Sequence, residues 1–180
     1  MQKENLLYAR SFAFDFIIGS THVVNQKDPY YPDYFIGRNE EEAFREYFQT
    51  IIDNIKKFTS FDVCGHLDYV VRYGPNIDRD YSYEKYKDLF DFMLTLLLEA
   101  EKGIELNTGS LRRGTKDVSP CTEIIKRYKE LGGEIITVGS DAHNSKDIAA
   151  DFDLAAQILK DCGFKYYSVF ENRMPEYFKI

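Results

Sequence analysis

Tryptophan is absent from the 180 residues, so the 16% aromatic content rests on 14 Phe and 14 Tyr, whose ordinary task is to fill a core. Cysteine is scarce. Cys64, Cys121 and Cys162 are odd in number, widely spaced and include no CxxC pair, which argues against a disulfide framework. With no secretory signal, they are expected to be reduced thiols of a cytoplasmic protein. Long apolar runs are also missing. The most apolar stretch lies near residues 94–98, far short of the ~20 residues a membrane-spanning helix needs. Positive charge is in deficit, with 23 Lys and Arg against 30 Asp and Glu and a formal charge of −7. That balance argues against a nucleic-acid partner, which calls for a basic stripe. A small anionic substrate stays open, because a metal or arginine pocket reverses the field locally.

What is present is ordinary globular material, 44% hydrophobic and 29% charged, without repeats, linkers or low-complexity segments. Short β-rich runs alternate with amphipathic helices. Residues 14–18 read as a strand ending at Gly19, and residues 61–64 as a second ending at Gly65. Residues 104–106 and 135–138 read as a third and fourth, with 166–170 as a last strand. Asn39 is suited to cap a helix that carries Glu40, Glu41 and Glu42 in its first turn and apolar residues at helical spacing to Ile55. A second long helix is expected from Ser82 to Gly103, a third after a Ser119-Pro120 start, and a fourth over 146–161. Strand, loop and helix repeated in this way predict parallel pairing through right-handed crossovers. A (β/α) barrel and an open doubly wound sheet both fit, and the chain is too short for eight βα units, which take about 250 residues.

The three histidines stand in a pattern. His22, His66 and His143 each follow a predicted strand and a glycine, in Gly19-Ser20-Thr21-His22, Gly65-His66 and Gly139-Ser140-Asp141-Ala142-His143. Strand ends of a parallel sheet share one rim, so the three imidazoles and Asp141 are expected to meet there and hold a Zn, Mn or Fe ion. A lone histidine is more often a hydrogen-bonded core residue, but three at successive strand ends favour the metal reading. The loop Glu105-Leu106-Asn107-Thr108-Gly109-Ser110-Leu111-Arg112-Arg113-Gly114 supplies two guanidiniums that suit a phosphoryl group, a solvated loop being the plainer alternative. Arg72 is a third candidate for the phosphate. Asp68 suits either a hydrogen bond to a ligating imidazole or a helix cap.

These motifs, in this order, resemble the PHP superfamily, and most of all its monofunctional histidinol-phosphatase branch. The likeness runs over essentially the whole chain, including the ending at 169–175. It implies a distorted (β/α)7 TIM-like barrel with a trinuclear metal centre at the strand C-termini. It implies hydrolysis of L-histidinol phosphate, in histidine biosynthesis, by metal-bound hydroxide rather than a side-chain nucleophile. By resemblance, His22, His66, Asp141 and His143 take metal-ligand positions. Arg112 takes that of the phosphate-loop arginine, Arg113 falls where lysine is common, and Arg72 takes a commonly basic position. One departure is large. Family members carry a His-x-His strand, a further histidine and a bridging glutamate upstream of the Gly-Ser-x-His motif, whereas only 21 residues precede His22 here and none is histidine. Residues 1–180 are therefore expected to be a single PHP-type α/β domain equal to the C-terminal two-thirds of the barrel. The first βα units would be missing and fewer than three metals held. The alternative reading is a weakly active or non-catalytic metal-binding or interaction domain. Open sheet edges favour association with another chain, such as a homo-oligomer.

Overall fold

A computed structural model describes residues 2–180. Helix α1 (Gln2–Ser11) precedes strand β1 (Ile18–Gly19), and α2 (Glu40–Lys57) leads to β2 (Val63–Cys64). Helix α3 (Lys87–Glu99) leads to β3 (Gly103–Asn107), and α4 (Thr122–Glu130) to β4 (Ile136–Gly139). After α5 (Phe152–Asp161) come β5 (Tyr166–Glu171) and β6 (Met174–Lys179). The first four strands form one parallel sheet in the order β1-β2-β3-β4. That order decides between the two architectures. Right-handed crossovers between successive neighbours place every helix on one face, as in a barrel wall, whereas a doubly wound sheet must reverse direction.

The two faces of the sheet differ in chemistry. Ile104, Leu106 and Ile136 are buried on the helix side, in the same core as Phe48 and Ile52 of α2, Phe90 and Leu94 of α3, and Ile124 and Tyr128 of α4. The other side carries Gly65, Glu105 and Gly139, and a Cβ on Gly139 would collide with the Glu105 carboxylate. Only glycine leaves room there for a carboxylate between two strands. Helix α2 starts at a complete capping box: Asn39 accepts from the Glu42 N–H, and Glu42 accepts from the Asn39 N–H.

Several expectations need correction. The strands β1 and β2 are shorter than the apolar runs that contain them. Residues 84–86 form a 3-10 turn, so α3 begins at Lys87 and ends before Gly103, which belongs to β3. Ser119-Pro120 does not start α4; the peptide bond is cis and the helix is capped from Cys121. The start of α4 is held from the side, where Asp117 accepts from the Thr122 N–H and Asp68 from the Cys121 N–H. Residues 145–147 form a 3-10 turn, and α5 begins only at Phe152. The closing run is not a fifth parallel strand: β5 pairs antiparallel with β6, a strand the periodicity did not disclose. Asn172 and Arg173 both take positive φ at its tip, the geometry of a two-residue hairpin turn. From that tip, the Arg173 N–H donates to the Asp15 carbonyl and the Arg173 Nε to Asp62.

The core predicts a clear contrast. Phe48 is fully buried with its ring centroid 4.6 Å from that of Phe90, so Phe48→Ala is expected to cost about 3–5 kcal/mol. Ile36 is 75% exposed, and Ile36→Ala is expected to stay within about 0.5 kcal/mol. Urea melts check both, and equal losses would contradict the placement of the core.

Candidate metal and phosphate site

The loops that follow β1 to β4 meet at one rim, as parallel strands require. His22 follows β1 and His66 follows β2, and their Nε2 atoms lie 3.2 Å apart. Two nitrogens of a tetrahedral zinc shell, each about 2.0–2.1 Å from the ion, stand roughly 3.3 Å apart. At the observed separation the pair either shares one proton or presents two lone pairs to a cation. His22 is exposed and His66 is buried, with φ +26°. The Tyr69 ring packs against both imidazoles, at centroid distances of 4.9 and 5.1 Å.

Arg72 ties the rim together. Its guanidinium is buried, donating from one nitrogen to Asp141 Oδ2 at 3.1 Å and from another to Asn107 Oδ1 at 3.1 Å. It thereby joins the loops after β2 and β4 to the end of β3. Asp141 sits at φ +50° and has Arg113 at 3.9 Å as a second cation. His143 lies 3.5 Å from the other Asp141 oxygen, but its side chain is 72% exposed. Among the described residues it makes no contact with His22 or His66. Arg112 donates to the Ser140 carbonyl and pairs with Asp151 at 3.4 Å, which places it beside the Asp141 loop. Asp68 makes none of its hydrogen bonds to an imidazole: its oxygens accept from Ser119, the Cys121 N–H and Tyr81.

The rim also contains Glu105 and Asn107, which are not among the expected site residues. Glu105 Oε2 accepts from the His66 N–H and from Asn107 Nδ2, both at 3.2 Å, while Asn107 orients Arg72. The available signal was period two in Glu105-Leu106-Asn107, which turns both polar residues away from the helices. Burial pushes the Glu105 carboxyl above the usual range, against the opposing hydrogen bonds from Asn107 and His66. Burial also raises the Cys64 thiol to about 12, with Glu105 adding to the effect, so it stays protonated. All three cysteines are free and buried.

Burial, then Arg72 and His22, lower the His66 pKa from 6.5 to about 4. A neutral imidazole at pH 7 is the form that binds metal. Part of a coordination shell is thus in place. Completing it meets two obstacles: Asp141 is engaged by Arg72, and the buried His66 Nδ1 has no hydrogen-bond partner. Ligating histidines normally donate from that second nitrogen. Among the described residues no three His, Cys, Asp or Glu side chains are grouped to hold an ion.

Comparison with known proteins gives this rim a family. The PHP domain profile matches residues 1–109. The chain belongs to the PHP domain family. Its relatives place it in the histidinol-phosphatase branch. This PHP chain is 32% identical over 178 residues to a probable histidinol-phosphatase of Clostridium acetobutylicum, covering 98% of itself and 69% of that protein. It is 32% identical over 163 residues to the histidinol-phosphatase of Lactococcus lactis, covering 90% of itself and 60% of that protein. The crystal structure of the Lactococcus lactis histidinol phosphate phosphatase, complexed with zinc, L-histidinol and phosphate, superposes with a TM-score of 0.85 at 28% identity. That match covers 97% of this chain and 66% of the other. The PHP chain thus has the α/β architecture of that TIM-like barrel and spans 55% to 69% of the length of the curated relatives it matches.

The His66 shift carries a pH prediction for the metal-free protein. An unfolded histidine binds its proton near pH 6.5, whereas folded His66 does so only near 4. The unfolded state therefore holds more protons between these values, and stability is lost as pH falls through that window, by on the order of 3 kcal/mol. Glu105 and Asp68, both raised, act in the opposite sense at the acid end. His66→Asn, which tolerates the positive φ, is expected to flatten the loss between pH 6.5 and 5 in denaturant melts. An unchanged slope would contradict the burial of His66.

Proposed function

We propose that this chain forms the larger part of a metal-dependent phosphomonoesterase that hydrolyses L-histidinol phosphate to histidinol and phosphate. The observation that carries the reading is the His22–His66 pair, Nε2 to Nε2 at 3.2 Å, beside arginines on the neighbouring rim loops. The likeness to a phosphatase crystallised with zinc, L-histidinol and phosphate supports it.

His22 and His66 would hold the ion, with Asp141 and His143 as further donors; zinc, manganese and iron all suit this set. What such an ion supplies when bound is Lewis acidity, for activating water and neutralising phosphoryl charge. The chain's own residues set the surroundings. The Glu105 carboxylate holds the His66 backbone, and Asn107 holds Arg72 in register with Asp141. Arg112 and Arg113 are the phosphate-binding residues of the proposal, since both lie at the accessible edge of the rim. Arg72 reaches a phosphate only by giving up Asp141, because its two terminal nitrogens are already engaged. No helix among the described residues is long and apolar enough to cross a membrane, and a cytoplasmic location fits a small phosphorylated metabolite as substrate.

A second reading is a weakly active or non-catalytic metal-binding domain. It draws on the Arg72–Asp141 ion pair, which occupies a needed donor.

Phosphate release from L-histidinol phosphate with added Mn or Zn separates the two readings. Release that disappears in His143→Ala supports the phosphatase. Removal of one charged hydrogen bond in Arg112→Ala, worth about 2–3 kcal/mol, is then expected to lower kcat/KM roughly 30–150-fold. Absence of release at every metal loading contradicts the phosphatase reading and supports the second.

A further inference from the structure

A row of tyrosine rings leads outward from the imidazole pair. Tyr69, which packs against His22 and His66, has Tyr73 at a centroid distance of 5.0 Å. Tyr73 in turn meets Tyr30 edge to face at 5.3 Å, and Tyr30 meets Tyr31 at 5.0 Å. Tyr69 and Tyr73 stand on a 3-10 turn after β2, and Tyr30 and Tyr31 on the loop after β1. Asp28 fastens the two segments together. Its Oδ1 accepts from the Tyr30 N–H at 2.8 Å and from the Tyr69 hydroxyl at 3.4 Å, and its carbonyl accepts from the Tyr31 N–H. Pro29 and Pro32 flank Tyr30 and Tyr31 and fix φ on both sides, so little conformational freedom is lost when a ligand settles there.

Exposure rises along the row. Tyr69 is buried, Tyr73 is partly buried, and Tyr30 and Tyr31 are 53% and 58% exposed. Core packing accounts for the inner rings and not for the outer pair. Exposed aromatic surface that runs into a polar site marks a ligand contact. The strand order sets its direction: the tyrosines lie on the β1 and β2 side of the rim, and Arg112 and Arg113 follow β3. An ester whose phosphoryl group lies between the imidazoles and these arginines would direct its alcohol toward the tyrosines. We propose that Tyr73 and Tyr30, the first rings of the row that solvent reaches, receive the flat ring of the leaving alcohol. The rim then favours phosphomonoesters of alcohols that carry an imidazole or a similar ring over wholly aliphatic ones. The inference rests on the phosphatase reading for the placement of the phosphoryl group. An imidazole suits this surface in both of its forms. Neutral, it packs offset or edge-on against tyrosine, and protonated, it gains cation–π attraction.

NMR titration of the full chain with L-histidinol, and with the aliphatic L-alaninol for comparison, tests the contact without turnover. L-Histidinol is expected to bind more tightly and to shift the ring protons of Tyr30 and Tyr73. Tyr30→Ser, at an exposed position that leaves the core intact, is expected to weaken L-histidinol by roughly three- to tenfold and L-alaninol not at all. Tyr30→Phe is expected to keep the preference, as is Tyr166→Ser, which removes an exposed tyrosine of β5. Equal affinity for the two alcohols, or an L-histidinol affinity that Tyr30→Ser leaves unchanged, overturns the proposal. Turnover supplies a second measurement. The ratio of kcat/KM for L-histidinol phosphate to that for glycerol phosphate is expected to fall roughly three- to tenfold in Tyr30→Ser and to recover in Tyr30→Phe. A merely structural role would lower both esters together, and an unchanged ratio overturns the proposal. Ring-selective binding without phosphate release from either ester removes the phosphatase reading and leaves the ring site standing.

Discussion

The arrangement of the rim depends on one buried guanidinium. Arg72 sits inside the protein, paired with Asp141 and hydrogen-bonded to Asn107, and through them it ties the loops that follow β2 and β4 to the end of β3. A buried cation is tolerable only when paired and hydrogen-bonded, so once Arg72 is enclosed the positions of its partners are dictated. Asn107 is in turn held to Glu105, and Glu105 to the backbone of His66. The carboxylate has room because Gly65 and Gly139 flank it without side chains. A line of contacts thus runs from the middle of the sheet to the imidazole that faces His22.

The same network makes the metal site conditional. Arg72 helps keep His66 neutral, which favours ligation, and it also engages Asp141, which opposes it. The His22–His66 pair lies next to the free edge of β1, where the sheet stops and apolar side chains meet solvent. The partly formed donor set and the unpaired edge are therefore neighbours in space.

Much of this was legible in the residues. The helix over 40–57 announced itself through Asn39, three glutamates and apolar residues at 3.6-residue spacing, and the structure adds a complete capping box. The four parallel strands and the meeting of His22 with His66 followed from glycine-then-histidine after successive β-rich runs. Other features were hidden for physical reasons. Strand β6 contains Pro175, Glu176 and Lys179 in a mostly exposed hairpin, so no buried-face alternation marks it. The start of α4 is set by Asp68 and Asp117 reaching across space, which local capping rules around Ser119-Pro120 cannot register. The role of Glu105 depends on glycines in two neighbouring strands, a relation that exists only once the sheet is assembled.

Zinc K-edge X-ray absorption on the metal-loaded full chain tests most directly whether the rim holds an ion through His22 and His66. The account predicts stoichiometric zinc with at least two imidazole nitrogens at about 2.0–2.1 Å, and loss of the imidazole scattering in the His22→Ala/His66→Ala double variant. Zinc bound without imidazole, or an identical spectrum in the double variant, would contradict it.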